Sequence, residues 1–360
     1  MFLCALTDLP PLNFILDTGV RTTMLSEPAL VGSLGLTPEE TVLVLGLGGE
    51  GLVEAARDNQ VRLEMEGLVS QYMSLIILPD GIFSFSEMFG FPVYGIIGYD
   101  LFRDFPVEIN YSGSFIRVYR TPDYRISRSS EVVPLQIVNE KPYAMVEITG
   151  QNNDTLRTQL LVDLGASQPV FLSKEHQHLS DRVIEGFLGE GLSGPLLGSV
   201  GRLQHLSLGG VSAGAPVVAY PYRQFFTVMG EQVQWQGIIG GGLLKRFDLI
   251  IDYPSQRMVM RRNFRHRESY QFNMSGLEIK AAGSDFREFT VHFVREGSPA
   301  YEAGIMPGDR IIKINRLPAS VLSLHQIQEE FKGPARKTIR MELHRNGETL
   351  QRSFRLRHDI

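Results

Sequence analysis

The feature that most restricts what this chain can fold into is a repetition. GIIGYDLFRDFPVEINY, beginning at Gly95, and GIIGGGLLKRFDLIIDY, beginning at Gly237, agree at eight of seventeen positions across an offset of 142 residues. Two further pairs keep the same order. NFILDTGVR (13–21) and TQLLVDLGASQPVFL (158–172) each run an apolar stretch into Asp and then Gly two positions on, placing Asp17 and Asp163 146 residues apart. LGLGGEG (45–51) matches LGEGLSG (188–194) at an offset of 143, and Leu63, Met65 and Gly67 fall opposite Leu206, Leu208 and Gly210. Three ordered landmarks mean a duplicated unit, and two copies are too few for a solenoid. The expectation is two lobes about a pseudo-twofold axis.

Each copy is a series of short Val-, Ile-, Leu-, Tyr- and Phe-rich runs broken by Gly, Pro, Asn and Asp. VVPLQIVN, YAMVEITG, LRTQLLVD, RLQHLSLGG and DLIIDY read as strands at hairpin spacing. Helical periodicity is weak, so each lobe is predicted to be a small, mostly β barrel or sandwich. The second lobe has 32 residues of strand-like chain before its aspartate (131–162) and the first only 16, so the first is expected to lack a hairpin at its amino end.

A twofold brings equivalent turns together at the axis, which sets Asp17 beside Asp163. Two carboxyl groups within about 3 Å cannot both ionise cheaply and share a proton, for which aspartic proteases are the standard worked example. One then acts as general base toward a water and the other as general acid. The titration belongs to the pair. The bland alternative, two merely turn-forming aspartates, sits poorly with the duplication.

On these residues the chain resembles the retropepsin-like aspartic proteases, in a single-chain version with two fused lobes. FILDTGV followed by GIIGYDLF carries the likeness in the first lobe. The resemblance implies that Asp17 and Asp163 are catalytic. It implies that Thr18, Gly19, Gly165 and Ala166 shape the catalytic loops, over strands carrying Ile97–Gly98 and Ile239–Gly240. It further implies Gly-rich flaps over bound peptide at Gly46, Gly48 and Gly49, and at Gly189 and Gly191. The second copy departs from the pattern. The family's Thr or Ser after the aspartate bonds across to the opposite loop; Thr18 can do so and Leu164 cannot. Losing one such bond is worth about 1 kcal/mol.

From about residue 270 the style changes. EGSPAYEAGIMPGDRIIKINRLP (296–318) resembles a PDZ domain, with small residues for a tightly packed short helix and Pro-Gly-Asp for the turn into a strand. The spacing of Leu324, Ile327 and Phe331 predicts a helix over 323–331. By resemblance that helix flanks a peptide groove whose other wall and carboxylate loop hold Gly276, Leu277, Glu278 and Ile279. Such domains take C-terminal or extended peptides by strand addition.

The expected organisation is therefore mostly β. It comprises retropepsin-like β-barrel lobes at 1–122 and 131–262, then a PDZ domain (β with two short helices) at 271–358. The expected activity is aspartic endopeptidase, acting on polypeptides recruited by the PDZ domain. The rival reading, motivated by Leu164 and the short first lobe, is a non-catalytic peptide-binding protein with degenerate lobes. No cofactor or metal is implied. The family likeness points to bacterial, cell-envelope proteases.

The remaining signals are weaker. Net charge is −5, which disfavours nucleic acid as a partner, and RRNFRHR (261–267) reads as a solvated linker. Cys4 is the lone cysteine, and no apolar run approaches the ~20 residues of a membrane helix. GLGGEG and GEGLSG satisfy a dinucleotide-binding pattern that requires a following helix, which Pro195, Gly198 and Gly201 forbid in the second copy. KEHQH (174–178) reads as a surface turn, and Asp100, whose counterpart is Gly242, as structural.

Overall fold

The computed structural model describes residues 2–4, 11–45, 52–65, 68–120, 123–192, 194–222 and 236–360. Both repeats fold into the same strand path. In the first lobe the strand Leu12–Leu16 runs parallel to Gly95–Ile97, which pairs antiparallel with Met24–Leu25. In the second, Thr155–Asp163 runs parallel to Gly237–Gly240, which pairs antiparallel with Val170–Leu172. Beyond these lie long hairpins, Glu40–Leu45 with Leu52–Val61 and Val183–Gly191 with Gly194–Arg202. Among the described residues neither strand path closes on itself. Alternation along a strand specifies which face is buried, not whether the end strands meet.

The patterning explains why the aspartates are delivered where they are. Leu12, Phe14 and Leu16 alternate inward and are buried, Phe14 completely. Burying one such ring stabilises by about 2 kcal/mol. In the second lobe Leu160, Leu161 and Val162 are all buried, as befits a strand covered on both sides. Each run ends at its aspartate, held by the tightly packed strand beside it.

A five-stranded sheet joins the lobes. Val107–Asn110 pairs antiparallel with Phe247–Asp252, setting Val107 against Ile251, Glu108 against Ile250 and Ile109 against Leu249. Glu108 and Ile250 are themselves mates at the 142-residue offset, so the pseudo-twofold passes between them. The two sides share one hydrophobic core, to which Phe102, Ile109, Leu249 and Tyr253 all contribute.

The carboxy-terminal domain has a separate core around Leu277, Ile279, Phe289, Ile311, Ile327 and Phe331. Leu277–Ala282 is an edge strand of its sheet. The helix Leu324–Phe331 packs beside it and opens on a capping box, in which Ser323 and Gln326 satisfy each other's backbone amides. The basic run before this domain is more ordered than a solvated linker. Arg261 lies in the strand Arg257–Arg262 and pairs with Asp248 at 2.9 Å, and Phe264–Arg267 forms a 3-10 turn. Buried Arg246 donates to the carbonyls of Arg265, Glu268 and Ser269 and stacks on Tyr270.

Candidate active site

Asp17 and Asp163 are both buried, and each carboxyl group stands against the glycine of the opposite loop across the lobe boundary. The glycines of the two loops permit the approach. A Cβ on Gly19 would stand 2.6 Å from Asp163 Oδ2, and one on Gly165 would sit 2.2 Å from Asp17 Oδ2, so any side chain there would push the carboxylates apart. Beneath them the Ile97–Gly98 and Ile239–Gly240 strands lock the loops. The Asp17 amide donates to Ile97 O at 3.0 Å, and the Tyr99 amide donates to Val20 O at 2.9 Å. In the second lobe the Gly241 amide donates to Ala166 O at 2.7 Å.

The loops are not electrostatically alike. Asp163 Oδ1 accepts from two amides, Gly165 at 2.8 Å and Ala166 at 3.0 Å, whereas Asp17 Oδ1 accepts from Gly19 at 2.7 Å. Burial pushes Asp17 well above the ordinary carboxylate range, helped by the charge of Asp163 and the hydrogen bond to it, while the Gly19 amide and the Lys141 ammonium pull the other way. Amide donors favour the ionised form, and Asp17 has fewer of them than Asp163.

Thr18 ties the loops together. Fully buried, its hydroxyl donates to Val162 O at 2.6 Å and accepts from the Leu164 amide at 3.1 Å. Leu164 has no hydroxyl to return the favour and packs against the core instead. Asp100, despite its position beside the loop, accepts from the amide and the hydroxyl of Thr23, both at 2.9 Å, and serves as a brace.

Two residues near the pair escaped the sequence reading. Lys141 begins the strand Lys141–Thr149; burial lowers its pKa, and the charges of Asp163 and Asp17 oppose that shift. Tyr253 stacks on Phe102, its buried hydroxyl has no hydrogen-bond partner among the described residues, and burial together with the two aspartates raises its pKa. Nothing in a linear string marks Lys141, since it lies 22 positions before Asp163 across a hairpin. Tyr253 was visible only as the last identity of the longest repeat.

The flap residues divide. Gly46, Gly48 and Gly49 lie outside the described residues. Gly189 and Gly191 lie on the hairpin strand Val183–Gly191, followed by a strand and not a helix. Leu192, at its tip, packs on first-lobe residues around Val20, Met24 and Phe85.

Two family models match. The aspartyl protease model covers residues 4–101, including Asp17, and the PDZ domain model covers residues 291–345. The chain carries an aspartyl protease domain and a C-terminal PDZ domain. Among solved structures, an aspartic proteinase from Irpex lacteus aligns at 13% identity over 72% of this chain and 92% of that one, with a TM-score of 0.44. A photosystem II D1 C-terminal processing protease aligns at 27% identity and a TM-score of 0.22, over 24% of this chain and 23% of that one. The chain thus spans about a quarter of that second protein's length. A comparison with curated proteins returned no match.

In the PDZ domain Gly276 takes a left-handed conformation (φ +79°). Leu277, Ile279, Leu324 and Ile327 are all buried. Glu278 points to the other face of the edge strand, within 3.3 Å of Asn273, and burial pushes its carboxyl up to about 7. The carboxylate loop is engaged internally. The Gly276 amide donates to Asn273 Oδ1 at 3.3 Å, and the Leu277 amide donates to Ser275 Oγ at 3.0 Å.

Proposed function

We propose that the protein is an aspartic endopeptidase whose lobes, 1–122 and 131–262, hold a proton-sharing Asp17/Asp163 pair, with 271–358 as a PDZ domain that engages polypeptide. The observation that carries the reading is the meeting of the two buried carboxyl groups at the pseudo-twofold, each against the glycine of the other's loop. Asp163, the carboxylate held by two amide donors, takes a proton from a water whose oxygen attacks the scissile carbonyl carbon. Asp17 gives its proton to the carbonyl oxygen, forming a neutral gem-diol. Asp163 then protonates the leaving amine while Asp17 recovers a proton from a diol hydroxyl, and the C–N bond breaks. Each transfer is general acid–base catalysis within hydrogen-bond reach.

The reading requires one proton on the pair, so turnover falls once the pH rises far enough to remove it. The test is hydrolysis of a denatured protein substrate by the wild type and by Asp17→Asn, with and without a pepstatin-like inhibitor. Turnover that the inhibitor blocks and the substitution abolishes supports the reading; undiminished cleavage by Asp17→Asn refutes it. Capture of polypeptide without cleavage would favour a non-catalytic binding protein, the reading that Leu164 keeps in play.

A further inference from the structure

The groove of the PDZ domain is not open. The short helix Phe85–Phe89 of the first lobe packs on the edge strand Leu277–Ala282 and ends at Gly90. Gly90 sits between the strand and the groove helix: a Cβ there would stand 2.8 Å from Leu324 Cβ and 3.7 Å from Ala281 Cβ. Its left-handed conformation (φ +72°) is the C-cap that lets the chain turn at this point. At the other end of the groove the loop amides are occupied by Asn273 and Ser275.

The same domain holds the second-lobe flap. Glu190 Oε2 lies 3.0 Å from His292 Nε2 and 3.5 Å from Lys280 Nζ, with the Glu190 side chain only 11% exposed. The Phe187 ring meets His292 edge-on at 5.7 Å and Phe293 at 5.8 Å. Lys280 belongs to the very strand that forms the groove wall. Phe85, on the helix that plugs the groove, belongs in turn to the patch on which flap-tip Leu192 rests. Groove plug, groove wall and flap therefore form one contiguous body.

We propose that the PDZ groove is held shut by the chain's own residues 85–91, and that an extended peptide displacing this plug unlatches the flap from the cleft. The PDZ domain is then a peptide-operated gate on access to the aspartates rather than a free tether for substrate. For its consequence in turnover the inference rests on the protease reading, but the latch itself does not. Reciprocity follows: whatever factor peptide binding contributes to flap release, flap release must return to peptide affinity.

Two substitutions separate the effects. Gly90→Asn keeps the left-handed turn, which Asn tolerates, but drives a side chain into Leu324. Gly81→Asn makes the same change at φ +75° with nothing within 4 Å, and is the control. Hydrogen exchange by mass spectrometry on the full chain, with a labelled peptide ending in valine and a free carboxylate as probe, gives the readout. Gly90→Asn should speed exchange at 324–331 and at 183–191, and tighten peptide binding at least about tenfold, since the closed fraction no longer taxes affinity. Gly81→Asn should do neither. Glu190→Gln, which spares the groove, should loosen the flap and tighten peptide binding by the same factor. Equal peptide affinity in wild type, Gly81→Asn and Gly90→Asn overturns the occlusion. An opened groove with an unchanged flap, or a loosened flap in Glu190→Gln with unchanged peptide affinity, overturns the coupling. If exchange behaves as expected while no variant, with or without peptide, cleaves denatured protein, the latch stands and the protease reading falls.

Discussion

The two aspartate loops occupy equivalent places in a duplicated chain, yet they hold themselves differently. The first has Thr18, which makes both cross-loop hydrogen bonds; the second has Leu164, which makes none with its side chain and joins the core. Asp163 has two amide donors where Asp17 has one. A duplicated site needs each half to supply an aspartate, but a single hydroxyl suffices to span the gap. Once one loop ties both, the matching position in the other is free to serve packing. The difference in amide donors makes two residues that begin as equivalents electrostatically unlike.

The sharpest break of that comparison is to remove either carboxylate. Asp17→Asn and Asp163→Asn should each lower the hydrolysis rate of a denatured substrate by at least ~10³-fold, because neither role can be filled by the other residue. Unequal losses would mean that one aspartate acts alone. Asp17→Asn should also raise the thermal midpoint near neutral pH. A carboxyl whose folded pKa is raised contributes stability below its unfolded value near 3.8 and loses it as pH rises through the folded value.

The exchange of second residues comes next. Thr18→Val strands the buried Leu164 amide and Val162 carbonyl and should cost about 2–4 kcal/mol in chemical denaturation, with catalysis falling alongside. Leu164→Thr adds the hydroxyl but gives up apolar packing, so its effect should stay within about 1 kcal/mol. Equal costs for the two substitutions would contradict the one-sided tie.

Lys141→Met should act on pH dependence. Lys141 favours the ionised pair, so its loss raises the affinity of the pair for a proton and moves the alkaline limb of the pH–rate profile upward. The smallest effect concerns stability in acid. Despite burial, hydrogen bonds from Tyr124, Ser255 and Arg257 hold Asp252 below 3.8, and Arg345 does the same for Asp309. Their contribution is present above the unfolded value of about 3.8 and lost as pH falls toward the folded values. Melting temperature should therefore drop below about pH 4, more shallowly in Asp252→Asn than in the wild type.

Much of the fold was legible because duplication leaves an ordered trace. The apolar runs ending at Asp17 and Asp163, the GIIG strands and the absence of a hydroxyl at Leu164 all have local meaning, and the spacing of Leu324, Ile327 and Phe331 marked a helix that forms over Leu324–Phe331. Contacts between distant surfaces left no such trace. Glu190 and His292 lie 102 residues apart, and neither the flap nor the PDZ strand has a pattern that names the other. Gly90 looks like any helix-terminating glycine, and Lys141 like any turn lysine. Whether the sheets close was equally hidden, since strand composition does not fix the pairing of end strands.

The central claim is that one proton is shared by residues 17 and 163, resting mainly on the first. Carboxyl-¹³C labelling of aspartate, followed by NMR titration of the wild type and Asp163→Asn, tests it most directly. The account predicts an Asp17 resonance that titrates well above 3.8 and shifts downward when Asp163 loses its charge. An Asp17 resonance that titrates near 3.8 and is indifferent to Asp163→Asn would contradict it.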